Sequence, residues 1–137
     1  MKTSSETRHK RHCVFMLHAH LVFIAKYRKM KFNSAHLETM KYAFQIVCNS
    51  FGAQLVEFNG GIDHVHLLVN YPPTAAVAKL VNSLKGVSSR RLREKHSELN
   101  RSYRKHALWS PSYFAGACGG VTIDIVKKYI EKEQDAP

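Results

Sequence analysis

The chain has 137 residues, enough for one domain with a real core, and 45% of them are hydrophobic. Its 21 Lys+Arg against 10 Asp+Glu give a formal charge of +11 and an isoelectric point near 9.8, which points to a polyanionic partner, nucleic acid above all. The three scattered cysteines suggest neither a disulfide framework nor a zinc ribbon, and no apolar run can span a membrane or serve as a signal-peptide core, so a reducing cytoplasm is expected.

Residues 1 to 12 read as a flexible basic arm carrying Lys2, Arg8, Lys10 and Arg11, with one domain over 13 to 137. Residues 13 to 24 read as a long apolar strand. Alternation puts Phe15, Leu17, Ala19, Leu21 and Phe23 on its core face and His18 and His20 on the other. Lys26-Tyr27-Arg28-Lys29 at the strand exit form a candidate phosphate-contacting patch. Residues 34 to 51 read as a helix with cap candidates Asn33-Ser34 and an apolar stripe of Leu37, Met40, Phe44, Val47, Cys48 and Phe51, closed by Gly52.

Residues 53 to 58 predict a second strand, and Asn59-Gly60-Gly61 a hairpin turn into a third. That third strand carries His64-Val65-His66-Leu67-Leu68-Val69-Asn70 and stops at Pro72-Pro73. Residues 74 to 96 predict a second helix, buried through Val77, Leu80, Val81, Leu84, Val87 and Leu92. Its other positions carry Lys79, Lys85, Arg90, Arg91, Arg93 and Lys95, and residues 97 to 107 continue basic with Arg101, Arg104, Lys105 and His106, the densest cationic stretch and the best candidate for a nucleic-acid path. Residues 107 to 118 predict a fourth strand, broken near Pro111, then a Gly119-Gly120 hinge and a last helix over 121 to 134. The order β-α-β-β-α-β is the ferredoxin-like split βαβ arrangement, an α+β fold with an additional C-terminal helix. The first and third strands then lie side by side at the centre, and His18, His20, His64 and His66 share the face the two helices leave uncovered.

His64 and His66 are two apart on a strand, so both imidazoles point to one face while Val65, Leu67 and Val69 point to the core. Two such imidazoles can hold one divalent cation if a third ligand arrives from elsewhere. On the last helix Tyr129 and Glu133 are four apart and project from one side. One helix can therefore bring a phenol and a carboxylate to the histidine pair together. A phenol is a poor nucleophile at neutral pH, with a reference pKa of about 10. It attacks phosphorus more readily where its proton is accepted and a metal polarises the phosphate.

The chain resembles the single-tyrosine HUH transposases of small bacterial insertion sequences, which move single-stranded DNA. The matching segments are His20-Leu21-Val22-Phe23 with Lys26-Tyr27-Arg28, Asp63-His64-Val65-His66-Leu67-Leu68, and Leu84-Lys85-Gly86-Val87-Ser88-Ser89-Arg90. They continue with Leu108-Trp109-Ser110-Pro111-Ser112-Tyr113-Phe114 and Val126-Lys127-Lys128-Tyr129-Ile130-Glu131, in the family's order. The resemblance implies His64 and His66 as metal ligands, Tyr129 as nucleophile, a 5′-phosphotyrosine intermediate, hairpin recognition at the element ends and a homodimer. The Gly119-Gly120 hinge suggests that this dimer exchanges its last helices. The family commonly has a glutamine four residues after the tyrosine as third ligand. Here that position is Glu133, a competent ligand for Mg²⁺ or Mn²⁺, and Gln134, about 100° further round the helix, is the alternative.

Competing readings are a non-catalytic ferredoxin-like nucleic-acid-binding protein, a histidine phosphoesterase and a four-histidine zinc site from His18, His20, His64 and His66. The phosphoesterase fits poorly: its paired motifs need a hydroxyl where this chain has His66, or a third histidine where it has Leu68.

Overall fold

The computed structural model describes residues 8–10, 13–15, 17–26, 31–99, 107–117 and 131. Arg28, Arg101, Arg104, Lys105, His106, the Gly119-Gly120 hinge, Tyr129, Glu133 and Gln134 lie outside the described residues, as does nearly all of the predicted last helix; Glu131 is helical and exposed.

The apolar stretch expected as one strand from 13 to 24 divides in two. β1 (Arg8–Lys10) and β2 (Cys13–Phe15) form an antiparallel pair of their own, and β3 (His18–Ile24) enters the main sheet. Leu17, expected on the core face, lies between them and is exposed. Residues 8–10 of the stretch read as a loose arm are therefore strand, and Arg8 supplies the reason. Its guanidinium donates to Asn70 Oδ1 at 2.7 Å and to the Gly52 carbonyl at 2.9 Å. It also lies 5.1 Å from the Phe15 ring centroid. Charge-assisted bonds to two different elements tie the small hairpin to the end of the sheet.

The main sheet has the order β4-β5-β3-β6, with β4 (Gln54–Gly60), β5 (His64–Asn70) and β6 (Phe114–Ala117), every neighbouring pair antiparallel. The first and third strands of the expected split βαβ layout, β3 and β5, are central. The helices α1 (Ser34–Ser50) and α2 (Val77–Lys95) pack on one face. Met40, Phe44 and Val47 of α1 and Leu80, Val81 and Leu84 of α2 meet Leu21, Phe23, Val65 and Leu67 in one core. Phe23 is fully buried, 6.0 Å from Phe44 and 5.8 Å from Trp109 between ring centroids. Losing a ring in such a position costs about 3 to 5 kcal/mol. Burial pushes the Cys48 thiol up to about 12, so it packs as a small inert hydrophobe.

Asn33 caps α1 as expected: its Oδ1 accepts from the His36 N–H, and its own N–H donates back to His36 Nδ1. Gly52, at φ +69°, lets the chain leave α1 for β4. Helix α2 begins at Val77, later than expected, without a side-chain cap. A side chain at Gly86 would meet nothing closer than the Arg90 guanidinium at 3.6 Å, so packing does not explain that glycine.

Two details of the β4–β5 hairpin depart from the expected turn. Asn59 and Gly60 stay in the ladder, opposite His66 and Val65, and the chain reverses over Gly61, Ile62 and Asp63, with the Gly61 N–H donating to the His64 carbonyl at 2.8 Å. A bulge at Val56 also interrupts β4, between Leu55 and Glu57. The predicted fourth strand shortens to β6, while Trp109, ahead of Pro111, bridges to Ala25. Among the described residues no helix is long and apolar enough to cross a membrane.

Candidate active site on the histidine face

The alternation read in β5 holds. Val65, Leu67 and Val69 are in the core, and His64 and His66 point away from the helices, half-buried, with ring centroids 5.3 Å apart. The register places them opposite Ile24 and Val22, both buried, so the imidazoles stand beside an apolar floor.

His64 Nδ1 lies 3.0 Å from the buried Asp63 carboxylate. An ionised carboxylate only accepts, so His64 donates through Nδ1–H and keeps the lone pair of Nε2. That is the tautomer a metal ligand needs, fixed by a supporting carboxylate. His66 is held below the ordinary histidine range first by burial, then by the neighbouring His64 and His20. It stays neutral at physiological pH and available as a ligand. The donor set on this face therefore fits a divalent metal, with the third ligand, Glu133 or Gln134, outside the described residues.

Gly61 belongs to this arrangement. A Cβ there would stand 2.7 Å from His64 Cε1 and 3.1 Å from Nε2, so the ring occupies the space a side chain would fill. Gly61→Ala should leave the melting temperature within a few degrees of wild type, because the ring can swing away. The same swing breaks the Asp63 bond, so Mn²⁺ affinity measured by calorimetry should fall about 10- to 100-fold.

The basic candidates are elsewhere. Arg90 and Arg91 are exposed and Arg93 half-buried on α2, across the sheet from the histidines. Arg91 lies over the exposed Tyr42 ring at 5.4 Å. Lys26 follows β3, its N–H bonded to the Leu108 carbonyl. Lys85 points inward: its ammonium donates to the carbonyl of Ser110 at 2.7 Å and reaches those of Pro111 and Ser112. It stands between the Phe23 and Tyr113 rings, and burial lowers its pKa. One turn on, buried Ser88 accepts from Trp109 Nε1–H at 2.9 Å. Lys85 and Ser88 thus latch α2 to the segment entering β6. Lys85→Met should lower stability in urea denaturation by about 1.5 to 3 kcal/mol, the range for bonds to a charged group.

Sequence reasoning did not single out Asp63 or Gly61 for these roles, and it missed a second group. His36, His96 and Glu98 bring their ligand atoms within 4.8 Å of one another, near the ends of α1 and α2. Their hydrogen bonds favour a proton network. Because His36 Nδ1 accepts from Asn33, neutral His36 carries its proton on Nε2 and donates it to Glu98 Oε1 at 3.0 Å. That bond holds the Glu98 carboxyl below its ordinary value. A metal on His36 Nε2 requires the opposite tautomer and the loss of the Asn33 N–H bond to His36 Nδ1.

Comparison with known proteins agrees with this architecture. The family model described as "Transposase IS200 like" matches residues 13–133. The ISDra2 transposase TnpA of Deinococcus radiodurans is 29% identical over 130 residues, covering 95% of this chain and 93% of that one. The transposase for insertion sequence element IS200 of Salmonella typhimurium is 28% identical over 118 residues, 84% of this chain and 78% of the relative. A crystal structure of a putative transposase from Deinococcus radiodurans superposes with a TM-score of 0.83 at 28% identity, covering 91% of this chain and 96% of that one. A REP-associated tyrosine transposase bound to a REP hairpin shares the fold, with a TM-score of 0.56 at 10% identity over 93% of this chain and 68% of that one. The family model spans both strands and helices of the described domain and the histidine pair at its centre, and the chain belongs to the IS200-like, single-tyrosine HUH transposases.

Proposed function

We propose that this chain cuts and rejoins single-stranded DNA at the ends of an insertion sequence, through a 5′-phosphotyrosine formed on Tyr129. The observation that carries the reading is the His64–His66 pair on one sheet face, with His64 held by Asp63 in the metal-binding tautomer. Mg²⁺ or Mn²⁺ held by His64 Nε2, His66 and an oxygen of Glu133, or of Gln134 instead, would polarise the scissile phosphate and stabilise charge on the leaving oxygen. Tyr129 loses its phenolic proton and attacks phosphorus. The new bond is P–Oη, the bond that breaks is P–O3′, and the leaving 3′ oxygen takes up a proton. A 3′-hydroxyl from another end reverses the step, releasing Tyr129 and joining the strands.

Arg90, Arg91 and Arg93 lie across the sheet from the histidines, which suits a substrate with two parts. A folded hairpin bound on the α2 side leaves its single-stranded flank free to reach the histidine face. A protein of the same fold is named as bound to a REP hairpin, which supports hairpin recognition here. Lys26, Arg28 and the three arginines of α2 are the phosphate contacts of this reading, with Lys85 bounding their path from within. The active unit is a homodimer that exchanges its last helices, built from one domain to which the β1–β2 hairpin is tied through Arg8.

The test is direct. Wild-type protein incubated with Mn²⁺ and single strands copied from the DNA flanking its reading frame should give a covalent adduct that mass spectrometry maps to Tyr129. Tyr129→Phe should form none and still bind metal. An adduct on Tyr113, which packs beside Lys85, would overturn the assignment. Absence of any adduct from wild type would favour a non-catalytic nucleic-acid-binding protein.

A further inference from the structure

The Lys85 ammonium has no carboxylate partner among the described residues. Burial lowers its pKa, so the charge is held at a cost. What holds it is a run of three carbonyls, Ser110 at 2.7 Å, Pro111 at 3.3 Å and Ser112 at 3.5 Å, which match the three donors of an ammonium. Pro111 has no N–H to enter a ladder, and pairing with β3 resumes only at Phe114. Stability alone does not call for a cation here. One turn on, the Ser88–Trp109 bond ties the same helix to the same segment through neutral groups. What Lys85 adds is a hold on the backbone of residues 110 to 112.

That backbone leads to His64 in three bonds. Ser110, whose carbonyl accepts from Lys85, donates its N–H to the Ile24 carbonyl at 2.7 Å. The other end of that same peptide unit, the Ala25 N–H, donates to the Asp63 carbonyl at 2.8 Å. The Asp63 carboxylate then accepts from His64 Nδ1–H at 3.0 Å. From Lys85 to Asp63 the donors all point the same way, so each bond polarises the next. Ile24 also stands opposite His64 in the pairing of β3 with β5. The segment that Lys85 holds therefore braces the end of β3 from one side, and the metal ligand with its supporting carboxylate stands on the other.

We propose that Lys85 is a positioning residue for the cleavage reaction: by fixing residues 110 to 112 against α2 it holds the end of β3 and the backbone of Asp63, and so keeps His64 in its metal-binding tautomer. The inference rests on the metal-site reading of His64 and His66.

The experiment uses the full chain. Nitrogen NMR of the metal-free protein reads the His64 tautomer, and calorimetry reads Mn²⁺ affinity. Wild type should carry the His64 proton on Nδ1. Lys85→Met should show a mixture with the Nε2–H form, and its Mn²⁺ affinity should fall about tenfold, the low end for a residue that supports a ligand. Ser88→Ala is the control: it loses the Trp109 bond and some stability in urea, and should leave both readouts as in wild type. Lys85→Gln keeps one donor group for the carbonyls. It replaces Lys85→Met if that variant does not fold, and its readouts should move the same way by less. A His64 tautomer and Mn²⁺ affinity unchanged in the folded Lys85 variant would overturn the proposal. So would an equal change in Ser88→Ala, since any loosening of α2 from the segment would then suffice. Wild type that binds no Mn²⁺ would overturn the metal reading alone, and the tautomer comparison would still decide the role of Lys85.

Discussion

His64→Ala and His66→Ala should each reduce single-strand cleavage by about a thousandfold or more, with the fold intact. The scale follows from the role: a metal at a developing oxyanion supplies several kcal/mol of transition-state stabilisation, and each 1.36 kcal/mol is tenfold in rate. The fold survives because both rings are half-buried on the face away from the helical core. Calorimetric metal titration, circular dichroism melts and a nicking assay on the same preparations separate the two effects. Asp63→Asn is the more discriminating variant. Asparagine can offer an N–H to His64 Nδ1 and so release the tautomer that Asp63 fixes at 3.0 Å. Metal affinity should fall about 10- to 100-fold, as for other supporting residues, without loss of a ligand. Glu133→Ala should impair cleavage more than Gln134→Ala; the reverse ranking would make Gln134 the third ligand. Full activity in His64→Ala would remove the metal-site reading altogether.

Two inactive variants should recover activity when mixed. Tyr129→Phe keeps the histidine pair, and His64→Ala keeps the tyrosine helix. If the last helix crosses to the partner subunit, one of the two sites in a heterodimer receives an intact histidine pair from one chain and intact Tyr129 and Glu133 from the other. Restored nicking, up to about half of wild-type activity per dimer when every dimer is mixed, is the expected result. The motive lies in the sequence: two glycines allow broad backbone freedom, Gly119-Gly120 stand just before the predicted last helix, and identical helices exchanged about a twofold axis would satisfy both subunits. Differential tags and size-exclusion chromatography establish that heterodimers formed. Continued inactivity in them would place Tyr129 in its own subunit's site.

Much of the fold was legible because it is written in local periodicity. The two-residue alternation of Val65, Leu67 and Val69 set one face of β5 to the core and therefore His64 and His66 to the other. The helical stripes of α1 and α2, with Asn33 as cap, fixed the two layers, and the order of elements fixed a sheet with β3 and β5 at its centre. What alternation could not show is where it stops. The strand expected across 13 to 24 divides into β2 and β3, and Arg8 ties the β1–β2 hairpin to the end of the sheet through Asn70 and Gly52, both distant in sequence. One bulge residue, Val56, reverses the side on which Glu57 stands, and only pairing with β5 reveals it. Lys85 reads as a surface cation by composition, yet its ammonium is held by carbonyls 25 residues or more away. His64 acquires its tautomer from a carboxylate that the hairpin turn aims at its ring. The sequence by itself determined the element order, the two layers and the face on which the histidines stand, since these follow from which residues recur at a fixed spacing along the chain. Only the tertiary structure decided the strand break, the aim of Glu57, the latch of Lys85 and the state of His64, because each depends on a partner brought close by folding.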